Sequence, residues 1–493
     1  MTSTSNETRH GARALLALAV LAATATATQA RALEVWLRAG TTTKDLPGAA
    51  APIEMWGFAE CGAGFASCGP VATPGPELAV PAGDTSLTIH LANDLAEPTS
   101  LVIPGQSATM APVWIEPGTA TTYAGARPPG NLTARVRSFT HEAPAGGTAD
   151  YVWPALRPGT YLYESGTHPE VQVQMGLYGA MVRNAVDAAA PARAQAYAGA
   201  EYEYDRAVTV VYGEVDPALH DAVATGAYGS AGGPTSTFEY HPKFFLVNGD
   251  PWSAATPPLA TVGGGERVLL RFVNAGLMSH VPMLVDGHMD LVAEDAEPYP
   301  WPAHPRQQYT ALLPAAKTLD AFVTPLNVGP GDARLAIVDR RLDVTNAGAP
   351  DGGLIAFLAV TPGPAAPVIT SAPVTSALVG VPYAYQATAT DPNPGDTLAW
   401  SLDAGPTGMT ISADGLVTWD PVAGTYGVTV RVTDSGGLFA TQAFSLTAVE
   451  GNVAPVITST PDLAATQGVP WTYQVVATDA NPGDTLSYGL DVA

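Results

Sequence analysis

Short runs in which apolar and polar residues alternate fill this chain from residue 33 onward, and turn-forming residues close each one. Alternation puts every second side chain on one face, the pattern of a half-buried strand. Such runs occupy 33–38, 77–80, 86–91, 100–103, 133–139, 148–153, 160–163 and 178–182. Thr73-Pro74-Gly75-Pro76, Ala82-Gly83-Asp84, Pro117-Gly118 and Pro158-Gly159 punctuate them. Strands at this spacing predict a Greek-key sandwich or barrel over 33–185. Within 158–181, Gln172, Gln174 and Met175 read as strand-face residues.

The stretch 186–205 is alanine-rich and holds Pro191, which favours a linker over a helix. A second β-rich unit is expected over 206–362, carried by VTVVYGEV, FFLVNGD, RVLLRFVNAG, PMLVDGHMDLVAED and GGLIAFLAV. An internal repeat follows. APVITSAPVTSALVGVPYAYQATATDPNPGDTLAW and APVITSTPDLAATQGVPWTYQVVATDANPGDTLSY are offset by 88 residues, so Asp391 aligns with Asp479 and Asp396 with Asp484. The first copy, 363–450, is long enough for an immunoglobulin-like sandwich, and the second, 451–493, stops near its midpoint. Half a sandwich leaves strands unpaired, so the natural protein is expected to continue; a strand-donating tail is the alternative.

Composition agrees with this outline. A chain of 493 residues suggests roughly three domains. Its 50 glycines and 45 prolines suit turn-linked strands better than long helices. The net charge of −24 repels nucleic acid and anionic lipid, so neither is an expected partner. Residues 1–32 read as an export signal: Arg9, His10 and Arg13 precede an apolar stretch over 14–27, and Ala30-Arg31-Ala32 offers a cleavage site. The stretch is too short to span a membrane. The mature protein is therefore expected outside the cytoplasm, secreted or periplasmic. In that oxidising compartment Cys61 and Cys68, the only cysteines, point to a disulfide, with a thiolate metal ligand as the alternative. Asn131-Leu132-Thr133 is a glycosylation sequon.

Several segments resemble the cupredoxin domains of multicopper oxidases. PGPELAVPAGDTSLTIHLANDL over 74–95 is similar to that family's opening strand pair. PGTYLYESGTHPEVQVQMGLYGAM over 158–181 resembles its GTYWYHSH…GLYG segment. FFLVNGD, RVLLRFVNAG and VDGHMDLVAEDAEPYP resemble the corresponding strands of a second domain. The resemblance implies an all-β fold of two cupredoxin-like Greek-key sandwiches or barrels. One complete and one truncated immunoglobulin-like sandwich would follow, similar to the putative-Ig and cadherin-like repeats of secreted proteins. It also implies copper as cofactor and a small oxidisable substrate.

The ligands that this resemblance calls for are missing. The family's oxidases use four His-x-His pairs and a His-Cys-His set. None of the nine histidines here is spaced as His-x-His, and no Cys-His follows Cys68. TSLVIPGQ stands at 99–106 where a first pair belongs, and Glu164-Ser165-Gly166 replaces the second. His141, His168 and Glu164 form a candidate mononuclear metal site if their loops meet, with local hydrogen bonding as the plain alternative. His288, His280 and His241 read as turn, core or strand-edge residues, and Met175 lacks the cysteine partner that a blue-copper axial ligand needs. The acidic turn Glu294-Asp295-Ala296-Glu297 reads as solvated or cation-binding. In the repeat, Asp391, Asn393, Asp396 and Asp434 offer oxygen ligands for calcium, or else a plain Asx turn.

Two functions remain in view. One is a secreted copper-dependent oxidoreductase whose ligands come from outside this chain. The other is a non-catalytic extracellular binding or adhesion protein, calcium-binding at its repeats, with a surface polymer or another protein as partner.

Overall fold

In a computed structural model the described residues are 31–189, 192–300, 305–326, 333–393, 395–481 and 483–492. The expected export signal lies outside them except for its last two residues, as do His10, Pro191 and His304. No helix among the described residues is long and apolar enough to cross a membrane.

Two β-sandwiches with the same sheet order make up the first two-thirds of the chain. In the first, one sheet runs Ile53–Cys61, Arg31–Lys44, Asp84–Asn93, Thr148–Trp153. Its middle pair is parallel and the outer pairs are antiparallel. The facing sheet runs Leu78–Val80, Tyr178–Arg183, Gly159–Glu164. The second sandwich repeats both patterns. Phe244–Val247, Arg206–Val215, Val268–Asn274 and Thr318–Val323 again enclose a parallel middle pair. Ala260–Gly263, Ile355–Thr361 and Ala333–Asp339 face them. Alternation delivers the cores: Leu87, Ile89 and Leu91 point into the first and Val268, Leu270 and Phe272 into the second, all fully buried.

The same strand-end device closes both units. Asn93, 1% exposed, donates through Nδ2 to the carbonyls of Glu97, Ala143 and Pro144 and accepts from the Leu95 amide. Asn274 does likewise with Met278, Leu313, Pro314 and the Gly276 amide. A planar amide serves both roles at once, so each asparagine satisfies backbone groups that the turning chain would otherwise bury unpaired.

The expected strand face at Gln172–Met175 is instead a buried helix, Pro169–Met175, set between Gly159–Glu164 and Tyr178–Arg183. Pro169 opens it with a fixed φ and no lost amide bond. Gly176 closes it at φ 123°, where a Cβ would overlap the Trp56 carbonyl oxygen and the Thr73 hydroxyl. Gly179 lies directly beneath the Tyr163 ring, again leaving no room for a side chain. These contacts explain why glycine stands at both positions.

The alanine-rich connector is packed against the second sandwich. Ala194–Gln195 pairs with Glu203–Tyr204, and Tyr197, Tyr202 and Tyr204 bury themselves against Leu269, Val292 and Phe322. The next segment is a third sandwich. One sheet orders Ser376–Leu378, Phe439–Val449, Gly424–Thr433, Ala399–Ala404, and Tyr383–Gln386 pairs Leu416–Trp419 across its core. After it, Val456–Ile457 pairs Ala477–Thr478 as Val368–Ile369 pairs Ala389–Thr390, at the same 88-residue offset. Trp471, the counterpart of Tyr383, is 49% exposed against 4%.

Candidate functional site

The three segments expected to carry metal ligands in the first sandwich do run side by side. Val102 exchanges both backbone hydrogen bonds with Glu164, Thr99 does so with Ala143, and Ser138 bridges Thr167. Hydroxyl side chains fill the space between them. Thr99, Ser100, Ser138, Ser165 and Thr167 are each at most 1% exposed. Thr99 Oγ1 and Ser165 Oγ both donate to Gln172 Oε1, at 2.8 and 2.6 Å. Gln172 Nε2 donates to the Pro98 carbonyl at 2.9 Å. Thr167 Oγ1 lies 2.9 Å from Ser100 Oγ and 3.1 Å from both Ser138 Oγ and Glu142 Oε1. Arg137 forks onto Glu142 and closes the outer side.

Copper sites draw on imidazole nitrogen and thiolate sulfur. Here the groups are hydroxyls, an amide and one carboxylate that Arg137 already pairs, all committed to one another. The residues present do not fit a copper centre. They fit a polar plug that satisfies its own buried groups.

The candidate ligands His141, His168 and Glu164 are each engaged separately. His141 stacks on Tyr151 with ring centroids 4.6 Å apart and hydrogen-bonds the Asp150 carbonyl through Nε2 at 2.9 Å. His168 adopts φ 40° at the start of the helix, and its Nδ1 lies 3.3 Å from Glu170 Oε1. That contact raises the His168 pKa and lowers that of Glu170. Glu164 has no charged partner, and burial alone pushes its carboxyl up to about 7. Among the described residues these three do not belong to any group whose ligand atoms converge. His288 is an exposed turn residue edge-on to Tyr309, and His241 is exposed. The acidic turn is paired with cations: Lys317 Nζ lies 2.8 Å from Asp295, and Arg157 bonds Glu297. Cys61 and Cys68 are joined by a disulfide.

Other residues do converge. One carboxylate oxygen each from Asp391, Asp396 and Asp434 lies within 4.8 Å of the others. Asp391 Oδ1 accepts the Asn393 amide at 2.7 Å, while its buried Oδ2 has no hydrogen-bond partner. Ser435 Oγ donates to Asp396 at 2.6 Å. Asn393 turns the other way. Its Nδ2 donates to the Gly363 carbonyl and its Oδ1 accepts the Ala365 amide, so the loop grips the connection entering the third sandwich. The second copy repeats this grip. Asn481 binds the Gly451 carbonyl and the Val453 amide, with its own amide on Asp479.

Sequence reasoning missed two buried charged clusters. Arg271 and Asp320, both 2% exposed, join the two large sandwiches and the connector. Asp320 accepts from Thr160 Oγ1 and the Tyr197 hydroxyl, each at 2.6 Å, and Arg271 reaches Thr160 and Asn184. His280, fully buried, lies between Glu214 (Nε2–Oε1 2.6 Å) and Asp339 (Nδ1–Oδ2 2.9 Å). The available signal was a charged residue inside an otherwise apolar strand: Glu214 in VTVVYGEV, Arg271 in VLLRFVN and Asp320 in TLDAFV.

Residues 209–354 match the family model described as multicopper oxidase, and residues 366–449 match that described as putative Ig domain. No curated protein matches the chain. Among solved structures, it is similar to a blue copper oxidase from Nitrosomonas europaea, at 18% identity over 67% of this chain and 86% of that one, TM-score 0.48. It is also similar to the multicopper oxidase mgLAC, at 21% identity over 68% and 88%, TM-score 0.48. A copper nitrite reductase from Nitrosomonas europaea aligns at 20% identity over 67% and 94%, TM-score 0.42.

Proposed function

We propose that this chain is a non-catalytic extracellular scaffold. Two multicopper-oxidase-like sandwiches serve it as a binding body, and immunoglobulin-like modules extend from them. The observation that carries this reading is the buried hydroxyl plug of Thr99, Ser100, Ser138, Ser165 and Thr167, which takes in the two segments, 99–106 and 164–166, where the resemblance asks for imidazoles. The partner is another extracellular protein or a surface polymer; the acidic surface argues against nucleic acid.

Calcium sets the module junction in this reading. Asp391, Asp396 and Asp434 supply the carboxylates, and Asn393 couples their loop to the connecting segment at Gly363 and Ala365. Oxygen donors on flexible loops suit Ca²⁺ better than a transition metal. The match of 209–354 to the multicopper oxidase family favours a second reading, an oxidoreductase that takes its copper ligands from outside this chain.

Copper loading of the protein as isolated from its source, with whatever downstream segment or partner chain accompanies it, followed by metal analysis and EPR, separates the two. The scaffold reading expects no stoichiometric copper and no blue-copper signal. A stoichiometric signal that survives chelator dialysis overturns it. For calcium, the melting temperature should rise on adding Ca²⁺ and not do so in Asp391→Asn; equal melting in calcium and chelator removes the calcium role.

A further inference from the structure

The buried histidine of the second sandwich is built as one corner of a ligand set. Asp339 closes the strand Ala333–Asp339, Asp343 follows four residues later, and His280 faces both. One ring nitrogen of His280 and one oxygen each from Asp339 and Asp343 lie within 4.8 Å of one another, and Nδ1 is the nitrogen beside Asp339 Oδ2, at 2.9 Å. The back of the imidazole is fixed: Nε2 donates to Glu214 Oε1 at 2.6 Å, and the same oxygen accepts the Met278 amide at 3.2 Å. A carboxylate holding the far nitrogen of a histidine is how metal-binding imidazoles are commonly oriented. Asp339 is also held, its Oδ1 accepting the Val281 and Arg341 amides and leaving Oδ2 toward His280.

One buried polar atom beside the cluster is unpaired. The Tyr212 hydroxyl, on a residue 1% exposed, has no hydrogen bond, although its ring stands edge-on to His280 at 5.5 Å. Buried polar atoms are seldom left this way. Three carboxylates meet here with His280 and with Arg341, whose Nε lies 3.4 Å from Asp343. Asp343 is the half-buried member.

We propose that His280 Nδ1, Asp339 and Asp343 bind one divalent ion of the zinc class, with Glu214 as positioning residue and the Tyr212 hydroxyl facing the ion. One imidazole and two carboxylates suit such an ion and neutralise its charge. Binding displaces the proton on Nδ1. The site is separate from the hydroxyl plug of the first sandwich and from the calcium loop.

The test uses the full chain, stripped with chelator and dialysed against micromolar Zn²⁺ in excess Ca²⁺, with metal read by mass spectrometry. One equivalent of zinc is expected. Asp343→Asn, chosen because its side chain is half-buried, should weaken binding by about tenfold or more and leave metal-free melting unchanged. Co²⁺ in place of Zn²⁺ should give visible d–d absorption that the variant lacks. Asp391→Asn should keep its zinc. Absence of zinc from the wild type, equal binding by Asp343→Asn, or loss of zinc in Asp391→Asn overturns the proposal.

Discussion

Glu164 stands where the resemblance calls for a histidine, and its protonation tests what replaced the metal. Burial raises its carboxyl from 4.5 to about 7, with no charged neighbour contributing. Below pH 4.5 the side chain is neutral in both folded and unfolded chains, and its ionisation costs nothing. Between 4.5 and about 7 the folded state keeps a proton that the unfolded state releases, so stability falls as pH rises. Above 7 the full cost is present. The span from 4.5 to about 7 corresponds to about 3 kcal/mol. Glu164 is only half-buried, and solvent screening brings the expectation to about 1–3 kcal/mol.

Glu164→Gln removes the ionisation and keeps the shape. The variant should match the wild type at pH 4 and exceed it at pH 8 by that amount. Hydrogen exchange of the strand Gly159–Glu164 in the full chain reads this unit alone. At pH 8, corrected for intrinsic exchange, the variant's amides should exchange roughly ten- to a hundredfold more slowly, since about 1.4 kcal/mol is a factor of ten. A variant less stable than wild type at pH 8 would refute the reasoning. It would mean that a cation holds the ionised carboxylate, as a metal site on Glu164 requires.

Asp320→Ala should destabilise the chain by about 3–5 kcal/mol in urea, because it strands the buried Arg271 guanidinium between the two large sandwiches. Asn93→Ala and Asn274→Ala should each cost about 2–4 kcal/mol, as each removes several buried hydrogen bonds to backbone. Similar urea midpoints for the two variants would show that the clamps are equivalent, and a loss below about 0.5 kcal/mol in either would discount its clamp. Gly176→Ala should cost about 3 kcal/mol or more, since the new methyl meets the Trp56 carbonyl at a positive φ; unchanged thermal melting would mean that the helix end relaxes freely.

The strands were legible because alternation and turn residues are local signals. The runs at 86–91 and 148–153 lie within the strands Asp84–Asn93 and Thr148–Trp153. The helix Pro169–Met175 was not legible, because a two-turn helix buried on every side from Val171 to Met175 carries no amphipathic period. The packing of the connector was not legible, because its alanines outweighed the tyrosines that anchor it. The convergence of Asp391, Asp396 and Asp434 follows from turn residues whose side chains bond their own loops. Glu214, His280 and Asp339 come from three strands or strand ends far apart in sequence, and no local pattern announces such a meeting.

Two kinds of residue make up the oxidase-like frame, and they answer to different constraints. Asn93, Asn274, Gly176 and Gly179 are fixed by geometry: the first two satisfy turning backbone, and the others allow closest approach. Ligand positions carry no such burden, provided that whatever stands there satisfies its own polar atoms. Serine and threonine do this at 99, 100 and 165, joined by Ser138 and Thr167, with Gln172 accepting two of their protons. The sandwich therefore closes without a metal, and its stability should not depend on copper. Glu164 is the exception, the one substituted position left with a carboxyl that burial opposes. That is why its ionisation, rather than the intact hydroxyl cluster beside it, is the sensitive probe of whether this face of the molecule ever holds a cation.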